Sequence, residues 1–463
     1  MTSHALPRPD PFADAGPLPA RVLFAIFAAA FAVRCGNLLS IGDLRAYALS
    51  EDAWLFWNGA RDWLETGRFV FSTGDGYATQ TERVPLYFLF LMPFRWLFGD
   101  TVWPPLVAQC LVDAGSCVVI ARLGAMVGRA VGVVAGALAA LWPNFVIHSG
   151  VILGDALFGF LFVLCLLFSA RFLRDGRVRD AAAAGLICGL AIMTRPSVQF
   201  LPLAMAAAAP FVVRRHGGAW RNAIASAVLV VVGAAAPATP LVARNIALFD
   251  SAALTTQAGT FSYFWVVASV RAVRDGRPFG ELTAELHREF DAEMARRNID
   301  ADRLDPFERA RLHVERAMHE LRKAPAVDIA AAWLRGAAVN IAAPALAVDR
   351  RVRALNTRSF YGSPGTGLFE KAWNFLTGND PRYVFWMGLG MAGGAVALLL
   401  QGAGWALLLR RSVWAAAFAA LAVAYFLLLT GPIMGPKYRL PFESILIVCQ
   451  ALAMVAIYAR FRR

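Results

Sequence analysis

The chain has 463 residues, of which 58% are hydrophobic and 17% charged, and its formal net charge is +13. Soluble globular proteins contain about 45–50% apolar and about 25% charged residues, so this composition indicates a polytopic membrane protein and excludes disordered and small disulfide-stabilised chains. The positive charges cluster between apolar runs, as in the cytoplasmic loops of membrane proteins, so nucleic-acid binding is not expected.

About ten apolar segments are long enough to cross a bilayer, which takes about 20 residues. The first is too long for the apolar core of a signal peptide, which has about 7–15 residues, so we expect it to remain as a span. The expected spans cover residues 20–41, 103–122, 130–148, 155–173, 180–196, 197–213, 222–243, 383–409, 412–431 and 441–459. The sequence therefore predicts an all-α polytopic membrane protein.

Arginines concentrate in every second linker between these spans, and the positive-inside rule assigns such linkers to the cytoplasm. These arginines are Arg122, Arg129, Arg171, Arg174, Arg177, Arg179, Arg214, Arg215, Arg221, Arg410, Arg411, Arg460, Arg462 and Arg463. With ten spans, both termini are then cytoplasmic, including the polar tail 1–19.

The linker 42–102 is expected on the extracytoplasmic side. Apolar residues recur at helical spacing from Ala53 to Leu64, with Asp62 among the polar residues of the other face. This pattern predicts an amphipathic helix whose tryptophans suit the membrane surface. The apolar stretch 84–98 is short and contains two prolines and an arginine, so we expect it to be interfacial or re-entrant.

The polar block 244–382 is expected to be extracytoplasmic and mostly helical, and 383–463 to form the last three spans. Asp305 followed by a proline predicts a helix start inside a helical region 281–323. An apolar packing stripe follows, formed by Phe307, Ala310, Val314, Ala317 and Leu321. The moderately apolar segment 327–348 is expected to be interfacial, because a span there would move the C-terminal arginines outside.

Ionisable and polar residues gather at the extracytoplasmic ends of these spans. They are Glu51, Asp52, Arg83, Tyr87, His148, Asp155, Arg195, Arg244, Lys437, Tyr438 and Arg439. Charges at the mouth of an apolar bundle are costly, so they are candidates for function. Structural alternatives remain open, because Asp52 and Asp155 could cap helices and the basic residues could snorkel to the interface.

The order of six segments resembles the GT-C membrane glycosyltransferases, which use polyprenyl-phosphate sugars, and within them the bacterial aminoarabinose transferases and protein O-mannosyltransferases. The segments are SEDAWLFWNGARDWLETGRF, ERVPLYFLFLMPFRWLFGD, LWPNFVIHSGVILGDALFGFLF, GLICGLAIMTRPS, PLVARNIALFD and GPKYRLPFES. The resemblance implies a GT-C-like helix bundle with a seven-span module over 20–243. It also implies an active site at the periplasmic face of a bacterial inner membrane.

The resemblance also implies roles for the candidate residues. Asp52, with Glu51 beside it, corresponds to the first outer-loop acid of the family, and Asp155 to the second. Asp52 is expected to act as general base in an inverting transfer, a role worth about 10²–10⁴ in rate. The basic residues expected at the donor phosphate are Arg83, Arg244, Lys437 and Arg439. The residues expected to line the substrate are Tyr87, His148, Arg195 and Tyr438.

No cofactor is assigned with certainty. A divalent cation held by Asp52 and Asp155 remains open, because the sequence has no metal-ligand spacing that decides it. The acceptor is equally open and could be a lipid, a glycan or a protein.

Two other functions also remain possible, a transporter or flippase and a lipid-linked polysaccharide ligase. A transporter often has two related halves, but the stretch 51–87 has no second copy. The early Glu51-Asp52 pair before an amphipathic helix favours the glycosyltransferase over the ligase.

Overall fold

The structure of the protein is a computed structural model that describes residues 16–301, 303–356, 358 and 363–462. Residues 1–15 of the expected cytoplasmic tail lie outside this range. Between residues 16 and 250 the structure has twelve α-helices: α1 Ala20–Leu39, α2 Leu44–Ala48, α3 Ala53–Thr66, α4 Leu86–Phe98, α5 Trp103–Ala125, α6 Arg129–Leu141, α7 Pro143–Ser149, α8 Asp155–Asp175, α9 Val178–Ile192, α10 Leu201–Arg215, α11 Trp220–Ala235 and α12 Thr239–Phe249.

Further helices follow in the polar block and in the C-terminal region. Those of the polar block are α13 Gln257–Thr260, α14 Ala268–Asp275, α15 Phe279–Arg296, α16 Pro306–Lys323, α17 Ala326–Ala342, α18 Arg350–Arg353 and α19 Leu368–Gly378, with a π-helical turn at Phe261–Val267. The C-terminal region holds α20 Pro381–Arg411, α21 Val413–Thr430 and α22 Leu440–Phe461. The predicted all-α class is confirmed.

One small antiparallel hairpin interrupts the helices, formed by β1 (Val70–Thr73) and β2 (Gly76–Thr79). It lies between α3 and α4 and packs against α3. The sequence analysis did not predict it. The Asp75-Gly76 dipeptide is a turn signal that could have indicated it.

Eight helices within the described ranges are long and apolar enough to cross a membrane. They are Ala20–Leu39, Trp103–Ala125, Asp155–Asp175, Pro196–Arg215, Trp220–Phe249, Pro381–Arg411, Val413–Thr430 and Pro436–Phe461. The bent pair α6 and α7 makes a ninth if it counts as one span, since the chain turns by 47° before Pro143. The count is therefore eight or nine, where the sequence predicted about ten.

The remaining expected span, 180–196, corresponds to α9, which has 15 residues and is about 22 Å long. It is shorter than the bilayer core of about 30 Å. Its ends are nevertheless tied to both ends of α8, by the Arg171–Asp180 pair (3.2 Å) and by the Arg195–Asp155 pair. The two helices therefore run antiparallel over most of their length.

The last helix, α22, lies at the centre of the bundle and is mostly buried, whereas α20 is mostly exposed at the periphery. The main apolar core joins α22 to α1, α5, α6 and α8. A second apolar cluster holds α3 and α4 against the start of α5, around the fully buried Trp57, Tyr87 and Phe88. This second cluster fixes the beginning of α3, where Asp52 lies.

The polar block contains the helices predicted between 281 and 323, separated at residues 297–305. Asp305 begins α16 as predicted, because its carboxylate accepts hydrogen bonds from the backbone N–H groups of Phe307 (2.8 Å) and Glu308 (3.2 Å). The packing stripe is confirmed only in part, since Phe307 and Ala317 are buried but Val314 is exposed. The segment 327–348 forms α17 and a short turn, and is not among the helices long enough to span.

Candidate active site

Asp52 comes directly before α3, but its side chain does not cap that helix. Its Oδ2 instead accepts a hydrogen bond from Nη2 of Arg83 at 3.1 Å. The side chain of Arg83 is 16% exposed and that of Asp52 is 58% exposed. The arginine is thus packed in the protein, and it holds a carboxylate that faces solvent.

The loop that carries Arg83 is anchored from two sides. The side-chain oxygen of Gln80 accepts the backbone N–H groups of Glu82 and Arg83, at 2.9 and 3.3 Å. The backbone carbonyl of Gln80 accepts a hydrogen bond from Nη2 of Arg244 at 2.9 Å. Arg244 therefore anchors, through Gln80, the loop that carries Arg83.

Arg244 retains an unused donor. Its Nε and Nη2 both donate to Oδ1 of Asn245, and its guanidinium lies 5.5 Å from the ring centroid of Phe69. Its Nη1 is buried and has no hydrogen-bond partner in the described part of the chain. A buried N–H group without a partner is costly. This nitrogen is therefore able to donate a hydrogen bond to an anionic oxygen of a ligand.

Glu51, next to Asp52, joins two distant parts of the chain. Its Oε1 lies 3.4 Å from Nη1 of Arg353, in the polar block, and its Oε2 lies 3.5 Å from Nζ of Lys437, just before α22. The ring of Tyr438 lies 5.9 Å from the same Nζ. The sequence analysis identified Glu51, Lys437 and Tyr438 but did not identify Arg353.

Asp155 is the first residue of α8 and its side chain is buried. It does not cap its helix but forms an ion pair with Nη1 of Arg195, which connects the end of α9 to the start of α8. His148 and Lys437 lie close enough to Asp155 to interact with it electrostatically. Asp155 and the Glu51–Lys437 pair therefore belong to the same end of the bundle.

A narrow polar cleft runs from Asp155 into the bundle between α5, α7, α8 and α22. Its polar lining residues are Asp113, Ser116, His148, Ser149, Asp155 and Ser444. The Nδ1–H of His148 donates to the carbonyl of Asn144 at 2.8 Å, so Nε2 is the acceptor in the neutral ring. The predicted residues His148 and Asp155 thus share one cleft.

Tyr87 and Arg439 have structural partners. The hydroxyl of the fully buried Tyr87 donates to Gln109 at 2.7 Å, and Tyr87 is not among the residues that line the cleft. Arg439 donates from Nε to the buried Glu443 at 2.6 Å and from Nη1 to the carbonyls of Ile341 and Ala343. These bonds tie the start of α22 to the end of α17.

The sequence analysis missed a charged pair inside the bundle. Nε of Arg34, on α1, donates to Oδ2 of Asp113, on α5, at 2.5 Å, and both side chains are almost completely buried. The guanidinium also donates to the carbonyls of Ala30 and Ala140. The sequence did hold a signal for this pair, since both residues fall inside expected spans. Charged residues within the membrane are rare and usually pair with one another.

The described residues contain no group of three His, Cys, Asp or Glu side chains that could hold a metal ion. Asp52 and Asp155, the two carboxylates considered for a cation, each interact with an arginine instead.

Residues 82–242 match the family model of the dolichyl-phosphate-mannose-protein mannosyltransferases. The resemblance to GT-C membrane glycosyltransferases is confirmed over this segment. The matched segment contains the candidate residues Arg83, Tyr87, His148, Asp155 and Arg195. The other candidate site residues lie outside it. No curated protein matches the chain in a sequence comparison.

Two solved structures are also similar to the chain. They are crystal structures of ArnT from Cupriavidus metallidurans, one in the apo state and one bound to undecaprenyl phosphate. The identities are 16% and 17%, and the TM-scores are 0.39 and 0.40. The alignments cover 93% and 94% of this chain and 77% and 79% of those chains.

Proposed function

We propose that this protein is a membrane glycosyltransferase that moves a sugar from a polyprenyl-phosphate carrier to an acceptor hydroxyl or a similar nucleophile. The family match over 82–242 supports a lipid-phosphate sugar as donor, because the description of that family names dolichyl-phosphate mannose. The site lies at the end of the bundle where Asp52, Asp155 and Lys437 gather. We assign that end to the extracytoplasmic face of a bacterial inner membrane, from the arginines at the opposite end.

Asp52 is the proposed general base. The observation that carries this assignment is that its carboxylate does not cap α3 and faces solvent, held by Arg83. In the proposed step, Asp52 takes the proton of the acceptor hydroxyl as the acceptor oxygen bonds to the anomeric carbon. The bond from that carbon to the phosphate oxygen breaks, and the lipid phosphate leaves with the electron pair. One direct displacement of this kind inverts the anomeric centre.

The leaving phosphate needs fixed positive charge where its own negative charge develops. Lys437, Arg83 and Arg244 are the proposed sources, and the unpartnered Nη1 of Arg244 supports its inclusion. Arg439 is already bonded to Glu443 and to two carbonyls, so we propose that it positions the start of α22. Asp155, buried and paired with Arg195, is proposed to orient the substrate in the polar cleft with His148.

The decisive experiment is transfer by purified Asp52→Asn protein supplied with a labelled polyprenyl-phosphate sugar and with envelope lipids, glycans and proteins as acceptors. Asparagine preserves the shape of the side chain but cannot take a proton. We expect transfer to fall by about 10²-fold or more, although the protein still folds and still binds the donor. The control is Asp75→Asn, an exposed acid in the hairpin turn.

Transfer near the wild-type rate by folded Asp52→Asn protein would exclude Asp52 as the base and leave Asp155 as the candidate. If the wild-type protein transfers no label but moves the labelled lipid across a vesicle membrane, it is a transporter.

A further inference from the structure

Glu51 has an unusual backbone conformation. Its φ angle is 53°, in the left-handed region, which is unfavourable for a residue other than glycine. Such conformations persist where surrounding contacts impose them, and they concentrate at functional sites. The Glu51 side chain contacts Arg353 and Lys437, whereas the side chain of the next residue, Asp52, pairs with Arg83.

The contacts of Glu51 are loose for ion pairs. The two nitrogen–oxygen distances are 3.4 and 3.5 Å, whereas charge-assisted hydrogen bonds measure about 2.7–2.9 Å. The three side chains are also partly exposed, at 43% for Glu51, 56% for Arg353 and 31% for Lys437. Each carboxylate oxygen faces one cation, as two oxygens of a phosphate group would.

The short helix that carries Arg353 is anchored to the rest of the protein, although the Arg353 guanidinium itself is exposed. Arg353 ends this short helix, α18, which Asp349 caps by accepting the backbone N–H of Arg351 at 2.9 Å. Arg351 donates to Ser40 and Asn37 at the end of α1, both at 2.8 Å, and Arg350 donates to the carbonyl of Ala46. The polar block is thereby fastened beside Glu51, with Arg353 at the edge of the site.

We propose that Arg353 and Lys437 form the binding pair for the lipid phosphate, and that Glu51 occupies the place of the phosphate until the donor displaces it. This inference rests on the proposed function. It adds Arg353 to the site and gives Glu51 the role of an internal competitor for the phosphate position. Before the donor binds, the negative charge of Glu51 offsets the repulsion between the positive charges of Arg353 and Lys437.

The proposal predicts opposite effects from neighbouring substitutions. Glu51→Gln removes the competing charge, so the phosphate should bind several-fold to about tenfold more tightly. Arg353→Gln removes one charged hydrogen-bond donor to the phosphate and should weaken binding by about tenfold or more. Arg353→Lys keeps the charge without the planar fork and should lie between Arg353→Gln and the wild type.

The measurement is binding of undecaprenyl phosphate to the purified full-length protein in nanodiscs of phosphatidylcholine. Glu65→Gln is the control, because Glu65 is an exposed carboxylate on α3 that does not contact the cation pair. Thermal unfolding of each variant reports on folding. If Glu51→Gln does not fold, Glu51→Asn replaces it, since asparagine tolerates the left-handed conformation better.

The outcomes separate this inference from the function on which it rests. If wild-type protein does not bind undecaprenyl phosphate, the proposed function fails. If wild-type protein binds it but Glu51→Gln or Glu51→Asn binds equally or more weakly, the function stands and the competitor role is overturned. If phosphatidylglycerol or inorganic phosphate competes equally well, the pair binds phosphate groups in general, and the assignment to the lipid carrier is overturned.

Discussion

Asp52, directly before α3, and Asp62, on α3, are the same type of residue, but their surroundings differ. The sequence analysis placed Asp62 on the polar face of α3, but it is buried against the hairpin. Burial favours a higher pKa for Asp62, but hydrogen bonds from the Ser72 hydroxyl, Arg61 and the Ser72 backbone N–H outweigh it and lower the pKa. Asp62 is thus a structural carboxylate whose oxygens both accept hydrogen bonds from the protein. Asp52 accepts a hydrogen bond from Arg83 and otherwise faces solvent.

Arg244 provides a prediction at the same scale. Arg244→Ala removes both the anchor of the Gln80 carbonyl and the unpartnered Nη1, so we expect use of the labelled donor to fall by about tenfold or more. Arg244→Lys should recover only part of the activity, because lysine cannot reproduce the planar fork. Steady-state kinetics with the labelled donor measure both effects.

The control for this prediction is Arg214→Ala, an exposed arginine that donates to the carbonyl of Gly218. Equal activity of wild type, Arg244→Ala and Arg244→Lys would remove Arg244 from the site.

Single residues of the site were predictable, but their partners were not. Glu51, Asp52 and Lys437 stand out in the sequence as charges at the ends of apolar runs. The pairing of Asp52 with Arg83 spans 31 positions, and that of Glu51 with Lys437 spans 386. No local pattern encodes such pairings, because they depend on how whole helices pack. Arg353 escaped prediction for the same reason, since it lies in an arginine-rich stretch of a polar block.

At the scale of elements, the packing of α3 on α4 fixes Asp52. A Cβ atom at Gly59 of α3 would lie 2.5 Å from the ring of Phe88 on α4. That ring is fully buried and contacts Phe56 and Phe69, so it has little room to move. The glycine therefore permits a close approach between the two helices.

Gly59→Ala is accordingly predicted to destabilise the protein by about 1–3 kcal/mol, as overpacking of a core usually does. It should also lower transfer, because the start of α3 moves together with Asp52. Thermal unfolding and the transfer assay measure the two effects, and Gly74→Ala serves as control because no atom lies within 4 Å of its added Cβ. An unchanged melting temperature and an unchanged rate would show that this contact does not position Asp52.

The length and apolarity of the elements were easier to predict than their interruptions. The predicted spans 20–41, 103–122 and 155–173 match α1, α5 and α8 within a few residues. The span predicted at 130–148 bends before Pro143, because proline cannot donate the backbone hydrogen bond that a continuous helix requires. Hydropathy averages over a window, so it cannot locate a break of this kind.

At the scale of the whole molecule, three regions of the chain meet at one carboxylate. Glu51 belongs to the first long linker, Arg353 to the polar block and Lys437 to the segment before α22. The central position of α22 makes this convergence possible, because it brings the C-terminal region beside α8, which carries Asp155. A site assembled in this way requires the complete bundle.

The two ends of the bundle carry different charges, and this difference predicts orientation. One end holds Asp155 with Arg195, and the other holds Arg171 and Arg174 beside the exposed Arg221. The positive-inside rule assigns the arginine-rich end to the cytoplasm. We therefore expect the proposed donor phosphate, at the opposite end, to face the acceptors of the cell envelope.

Two variants that each add one cysteine test this orientation with a thiol reagent that does not cross membranes. Asp75→Cys, in the exposed hairpin turn at the site end, should react in intact cells, whereas Arg221→Cys should react only after the membrane is opened. Five of the six native cysteines are buried and Cys35 is partly buried, so the background should be low, and the unmodified protein measures it. Reaction of Arg221→Cys but not Asp75→Cys in intact cells would reverse the topology and place the site in the cytoplasm. The acceptor would then have to be a cytoplasmic molecule.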